Sequence, residues 1–246
     1  MRKEKSRPVT NIDSFLHNAP RIAGVITGGL SLASIRKAVK LGADMIEVRV
    51  DTFTRQERNP ARLAAVLAKI RSDKSVGRLP ILLTIRSVKE GGKARVDDAE
   101  RLELFTMLMP FADLVDIELS SGRLLKDVVR LKKKAGTGLI ASYHNFTSTP
   151  GLSALRRIIK KGRAAGADYV KIAACAPERA SLRRLAGLLV EDNGLIVIGM
   201  GAFAAPSRVF FPLLGSLVTY GSVTAATAPG QMNVAGIRKG FKLCGI

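Results

Sequence analysis

Lys171 is the residue with the most chemical potential in this sequence. It sits between Val170 and Ile172 in the apolar run Tyr169–Ala173. A strand alternates its side chains between two faces, so the lysine faces opposite to both aliphatics. An amine in an apolar setting, with cations such as Arg49 and Arg86 nearby, loses part of its preference for the ammonium form. A neutral lysine amine is a carbonyl nucleophile and forms a Schiff base. Taken alone, the lysine also fits a surface residue with its head in water. His144 is one of two histidines. It ends the run Leu139–His144, and an imidazole moves protons near neutral pH. The alternative is a hydrogen-bonded structural histidine. His17 lies in the N-terminal arm and has no such context. Glu90 belongs to the loop Arg86-Ser87-Val88-Lys89-Glu90-Gly91-Gly92. It can orient a histidine through a carboxylate–imidazole bond, or be one charge of a solvated loop. The Gly91-Gly92 pair permits a tight or a mobile connection.

Other runs repeat the pattern. Glu47, Arg49 and Asp51 share a face of Met45–Asp51, against Ile46, Val48 and Val50. Thr84 and Arg86 oppose Ile81, Leu83 and Ile85. Asp116 and Glu118 oppose aliphatics in Val115–Leu119, and Ser142 shares a face with His144. A sheet with one face in water would look the same. In a closed barrel, the polar face is interior, where charges are costly unless paired or used.

The elements that must position these residues support the barrel. Strands are expected at Ile22–Ile26, Met45–Val50, Ile81–Arg86, Leu114–Leu119, Leu139–His144, Tyr169–Ala173, Leu195–Met200 and Leu217–Tyr220. Helical periodicity falls between them, at Leu30–Leu41, Pro60–Arg71, Asp97–Met109, Leu124–Lys134, Leu152–Ala165, Pro177–Val190 and Pro206–Leu214, with a last helix near Asn233–Leu243. Eight strands each followed by a helix point to an α/β fold, the (β/α)8 TIM barrel. A doubly wound open sheet is the alternative, but no glycine-rich dinucleotide fingerprint follows the first strand. The 246 residues read as a single catalytic domain, with residues 1–20 as an N-terminal arm that caps the barrel bottom or stays mobile. The segment Ala202–Pro206 is poor in polar groups and does not reveal how its loop closes.

Composition narrows the classes. Hydrophobic residues make up 47%, enough for a substantial core. No apolar run is long enough for a membrane span, and the basic N-terminus lacks the apolar core of a secretory signal. The two cysteines, Cys175 and Cys244, have no zinc spacing and fit a reducing compartment, so a cytoplasmic location is expected. The net charge of +20 sits largely on amphipathic helices, as at Arg156, Arg157, Lys160, Lys161 and Arg163 around Leu155, Ile158 and Ile159. That suits a solvated surface. A nucleic-acid binder would rest on charge alone, with no recognised module and no run of exposed aromatics. A positive field also draws in an anionic substrate. Pro229-Gly230 is a turn without the extra glycines of a barrel phosphate site, so a phosphorylated substrate is not favoured.

Together the motifs resemble the type I 3-dehydroquinate dehydratases, the Schiff-base class of that enzyme. The matching segments are Glu47-Val48-Arg49-Val50-Asp51, Thr84-Ile85-Arg86-Ser87 with Glu90-Gly91-Gly92, and Ser142-Tyr143-His144-Asn145-Phe146. They continue with Val170-Lys171-Ile172-Ala173, Met200-Gly201, Ser207-Arg208, and Gly215-Ser216 through Ala228-Pro229-Gly230-Gln231. Each piece is weak alone. Their order over nearly the whole chain is specific.

The resemblance implies a (β/α)8 barrel, and dehydration of 3-dehydroquinate to 3-dehydroshikimate in the shikimate pathway. It implies an imine on Lys171, with His144 as general acid and base and Glu90 as its partner. Arg208 and Gln231 would hold the carboxylate, with Thr227 in place of a frequent serine. Glu47 and Arg86 would bind ring hydroxyls, Arg49 would share their polar wall, and Met200 and Tyr220 would pack near the ring. No metal or organic cofactor is implied, and a homodimer is expected. Val48, Asn145 and Tyr220 stand where tryptophan, aspartate and phenylalanine are frequent. The competing reading is another Schiff-base lyase, such as a class I aldolase, sharing Lys171 but needing a different acid–base set.

Overall fold

Strand and helix alternate along the chain, and each strand pairs in parallel with its neighbour in sequence. The computed structural model describes residues 11–224 and 230–245. The strands are β1 (Arg21–Ile26), β2 (Met45–Arg49), β3 (Ile81–Thr84), β4 (Leu114–Glu118), β5 (Gly138–Asn145), β6 (Tyr169–Cys175), β7 (Leu195–Met200) and β8 (Val218–Ser222). The helices are α1 (Ile12–His17), α2 (Leu32–Lys40), α3 (Pro60–Arg71), α4 (Asp98–Leu108), α5 (Gly122–Ala135), α6 (Leu152–Ala164), α7 (Arg179–Glu191), α8 (Ala204–Leu213) and α9 (Val234–Leu243). Sheet order runs from β7 back to β1 and on to β8. The last gap is bridged where Leu217 N–H donates to the Leu195 carbonyl at 3.0 Å, and Val197 N–H donates to Ser216 Oγ at 3.0 Å. The nearly closed (β/α)8 barrel expected from the strand count is the observed fold.

Local chemistry starts the helices where the periodicity places them. Ser31 and Ser34 form a reciprocal capping box for α2, and Asp97 accepts from Glu100 N–H at the start of α4. Asn59 accepts from Arg62 N–H, with Pro60 in the first turn of α3. The helix stripes and outward strand residues form two apolar clusters, a large one that includes Ile46, Leu83, Ile117, Leu104 and Val128 and a second around β6 and β7 that includes Val170, Ile172, Leu185 and Val197.

Inside the barrel the strand period of two builds layers. An apolar floor contains Met45, Leu82, Leu114, Ile140, Tyr169 and Ile196. Two residues further along each of β2 to β6 stand Glu47, Thr84, Asp116, Ser142 and Lys171, all buried. The polar faces are therefore interior, at the level where barrel enzymes begin their active sites.

Several boundaries differ from expectation, and four of these differences have a physical reason. The arm contains α1, which is too short for hydropathy periodicity to reveal. Asn11 caps it, Leu16 joins the apolar floor cluster, and the Tyr169 hydroxyl donates to Asp13 at 2.8 Å. β3 stops at Thr84 because side-chain carboxylates take the next backbone donors. Arg86 N–H donates to Asp51 and Ser87 N–H to Glu118. β2 likewise ends at Arg49, and Val50–Thr52 turn as a 3-10 helix. The 202–206 segment closes as a 3-10 turn, Gly201–Phe203, running into α8, whose first turn tolerates Pro206.

Candidate active site

The polar layer opens into a cleft of about 550 Å³ at the C-terminal ends of the strands. Glu47, Arg49, Arg86, Glu90, His144, Lys171, Met200, Arg208, Tyr220 and Gln231 all line it. Every expected site residue among those described is thus in one cavity. Thr227 lies outside the described residues, as do Ala228 and Pro229.

Lys171 is carried by β6 and is 5% exposed. Its ammonium donates to Asp116 Oδ2 at 3.2 Å and lies 4.1 Å from the centroid of the Tyr220 ring. Burial lowers the lysine below its ordinary value, and Arg86 adds to the effect against Asp116 and Glu47. Arg49, the other cation expected to act on it, is occupied elsewhere. Its guanidinium grips Asp51 with two bonds of 2.9 Å. Asp51 also accepts from Arg86 N–H and Lys93 N–H. Since β2 has ended, Asp51 does not join the inward row with Glu47 and Arg49. It organises the loop after β3 instead.

His144 and Glu90 meet as a pair. The loop after β3 turns back through the 3-10 segment Val88–Glu90, with Gly91 in the left-handed region at φ 86°. A Cβ on Gly92 would sit 2.2 Å from the Arg86 carbonyl oxygen, so only glycine closes this turn. The connection is tight, and it aims Glu90 at β5. Glu90 Oε2 lies 2.9 Å from His144 Nδ1 and accepts from His144 N–H at 3.0 Å. Oε1 accepts from Ser120 Oγ at 2.5 Å. A carboxylate only accepts, so the network assigns the imidazole proton to Nδ1 and leaves the Nε2 lone pair available. Burial raises the Glu90 carboxyl above its usual range, with Glu118 adding to this. Burial, then Arg86 and Lys171, drive His144 well below the usual imidazole range. It is neutral at pH 7 and poised as a base.

An NMR titration checks this state directly, because the chain has two histidines. The imidazole signal missing from a His144→Gln variant is expected to stay neutral below pH 6.5, in the Nδ1–H tautomer. A midpoint at or above pH 6.5 would contradict this account of the dyad.

The remaining charges hold one another. Arg86 donates to Asp116 at 2.8 Å, to Ser142 Oγ at 2.7 Å and to Glu118 at 3.1 Å. Burial would lower its pKa, but Asp116 and Glu118 outweigh that and raise it. Burial would raise Asp116, but Arg86 and Lys171 hold it below the usual carboxylate range. Asp116 is therefore the fixed anion facing the Lys171 nitrogen. Glu47 accepts from Thr84 Oγ1 at 2.8 Å. Behind Arg86, the buried Arg101 of α4 donates to Glu118 Oε2 and to the Ile85 carbonyl. Sequence reasoning placed Asp116 and Glu118 inward without roles, and passed over Arg101 and Ser120. Arg101 had a legible signal: it shares the spacing of Leu104, Phe105 and Leu108, the buried stripe of α4.

Among the described residues, no group of three or more His, Cys, Asp or Glu could hold a metal ion, and no helix is long and apolar enough to cross a membrane. The site combines a buried amine of weakened basicity, a neutral imidazole oriented by a carboxylate, and arginines in one cleft. That set forms imines and moves protons beside them.

Comparison with known proteins agrees. The model of the type I 3-dehydroquinase family matches residues 30–246. The 3-dehydroquinate dehydratase of Thermodesulfovibrio yellowstonii is 34% identical over 234 residues, covering 94% of this chain and 99% of that protein. Among solved structures, the 3-dehydroquinate dehydratase of Geobacillus kaustophilus superposes with a TM-score of 0.84 at 28% identity, over 93% of this chain and 92% of that one. The type I 3-dehydroquinate dehydratase of Clostridium difficile, described with covalently modified comenic acid, gives 0.81 at 26% identity, over 92% of each chain. With the dyad and the buried lysine in one barrel cleft, the chain belongs to the type I 3-dehydroquinase family.

Proposed function

We propose that this chain dehydrates 3-dehydroquinate to 3-dehydroshikimate through an imine on Lys171. The observation that carries the reading is the convergence of the Lys171 amine and the His144–Glu90 pair on one cleft. The Lys171 nitrogen attacks the C3 ketone and water leaves as the imine forms. Protonated, the imine draws electrons from the adjacent C2–H bond, and Asp116 faces the resulting cation. His144 Nε2 takes the C2 proton. The electron pair moves back as the C1–O bond breaks, and His144 returns a proton to the departing hydroxyl. Water then hydrolyses the imine, with His144 again moving protons, and the amine is regenerated.

Position supports the binding roles. Glu47 and Arg86 meet ring hydroxyls, with Arg49 in the same wall, while Met200 and Tyr220 flank the ring. Arg208 and Gln231 lie at the same cleft and receive the carboxylate. No metal or organic cofactor takes part. The class I aldolase alternative loses its ground, because the matching family model and the relatives are 3-dehydroquinases. We also propose a cytoplasmic homodimer, on the strength of the family resemblance and the cysteine usage.

The conjugated enone of the product absorbs in the ultraviolet, so turnover of 3-dehydroquinate is read continuously. Steady appearance of that absorbance with the purified chain supports the assignment. Absence of turnover by folded protein overturns it.

A further inference from the structure

The Tyr220 hydroxyl is a buried polar group that the reaction above does not use. A phenylalanine would supply the same ring beside Lys171. Yet Tyr220 is 3% exposed, and its oxygen has no hydrogen-bond partner among the described residues. Burying a hydroxyl without a partner is unfavourable and calls for an explanation.

Arg208, on α8, repeats the pattern. It too is buried, its Nε has no partner, and it makes no ion pair among the described residues. Burial pushes its pKa down to about 10, which nearby Tyr220 and Glu47 oppose. The other cations of the cleft are neutralised inside the protein. Asp51 holds Arg49, Asp116 holds Lys171, and Asp116 and Glu118 hold Arg86. An incoming anion therefore finds its uncompensated charge at Arg208. Glu47, already accepting from Thr84, repels an anion and favours hydroxyl donors. Tyr220 and Arg208 line the same cleft and act on one another electrostatically, and each carries a buried donor that lacks an acceptor among the described residues. A group with only acceptors, a carboxylate, fits both.

We propose that the Tyr220 hydroxyl donates a hydrogen bond to the substrate carboxylate held by Arg208, and so helps the cleft select anionic over neutral ring ketones. This rests on the dehydratase reading. Burial, with Glu47 and Asp116, raises the phenol well above its ordinary value, so the hydroxyl stays a donor across the working pH range.

Tyr220→Phe tests it in steady-state dehydration and thermal melts. Quinate, a ring carboxylate without a ketone, reports binding free of imine chemistry. The variant's kcat/KM is expected to fall about tenfold, mostly through KM, the scale of one charge-assisted hydrogen bond. Without ligand it should melt no lower than wild type, because the orphaned hydroxyl is gone. Quinate should raise the melting temperature of wild type more than that of the variant. An unchanged KM, or a ligand-free variant that melts several degrees lower, overturns the role of the hydroxyl. If wild type is active in the same assay, the dehydratase reading stands regardless. If wild type itself fails to turn over 3-dehydroquinate, both fall.

Discussion

Lys171→Ala is expected to lower dehydration of 3-dehydroquinate by about 10⁵-fold or more, the scale of removing a covalent nucleophile. Without the amine, the C3 ketone stays a ketone. Its pull on the C2–H bond is far weaker than that of an iminium. The loss should be chemical rather than structural. Asp116, the lysine's anion, still accepts from Arg86 and Ser142. The variant also sheds a lysine whose burial disfavours its charged form. Its melting temperature should therefore stay near that of wild type while turnover disappears. A variant that keeps more than about a hundredth of wild-type turnover would show that the imine is dispensable.

His144→Ala should lower turnover by about 10³-fold, the middle of the range for general acid–base catalysis. It should do so in a distinct way. The Lys171 amine remains, so the ketone still condenses with it, and the covalent complex builds up before the C2 proton leaves. Slow turnover with retained imine separates this variant from Lys171→Ala, which loses both. The size follows from the geometry. Glu90 sets the tautomer through Nδ1, and burial keeps the ring neutral, so no other described group offers the same lone pair. Near-normal turnover in His144→Ala would remove the imidazole from the mechanism.

The parts of this arrangement that were readable in the sequence are the ones set by local periodicity. Alternation along Tyr169–Ala173 is a property of five neighbouring residues, and it placed Lys171 on the inner face. The same rule placed Glu47, Thr84, Asp116 and Ser142, and the barrel turned their shared face into an interior. Pairings across strands were not readable. Asp116 becomes the anion of Lys171 only because β4, β5 and β6 lie side by side in a fixed register, with Ser142 opposite Lys171. Asp51 shows where alternation fails. The strand ends two residues before it, and a 3-10 turn redirects its carboxylate to Arg49 and the loop after β3. Arg101 and Arg71 resemble surface charges in composition, yet both lie on buried helix stripes. Arg71 donates to the carbonyls of Gly77, Leu79 and Phe111 and to Asp113. Their partners come from other elements, so spacing gives burial but not purpose. The family motifs carried what periodicity could not: the pairing of Glu90 with His144 across 54 positions of chain.

The claim on which everything else depends is the bond between Lys171 and the substrate. Borohydride reduction in the presence of 3-dehydroquinate, followed by peptide mass spectrometry, reads it directly. A single stable adduct is expected, on the peptide carrying Lys171, absent without borohydride and absent from Lys171→Ala. Full turnover with no adduct on Lys171, or an adduct on a different lysine, would contradict the mechanism.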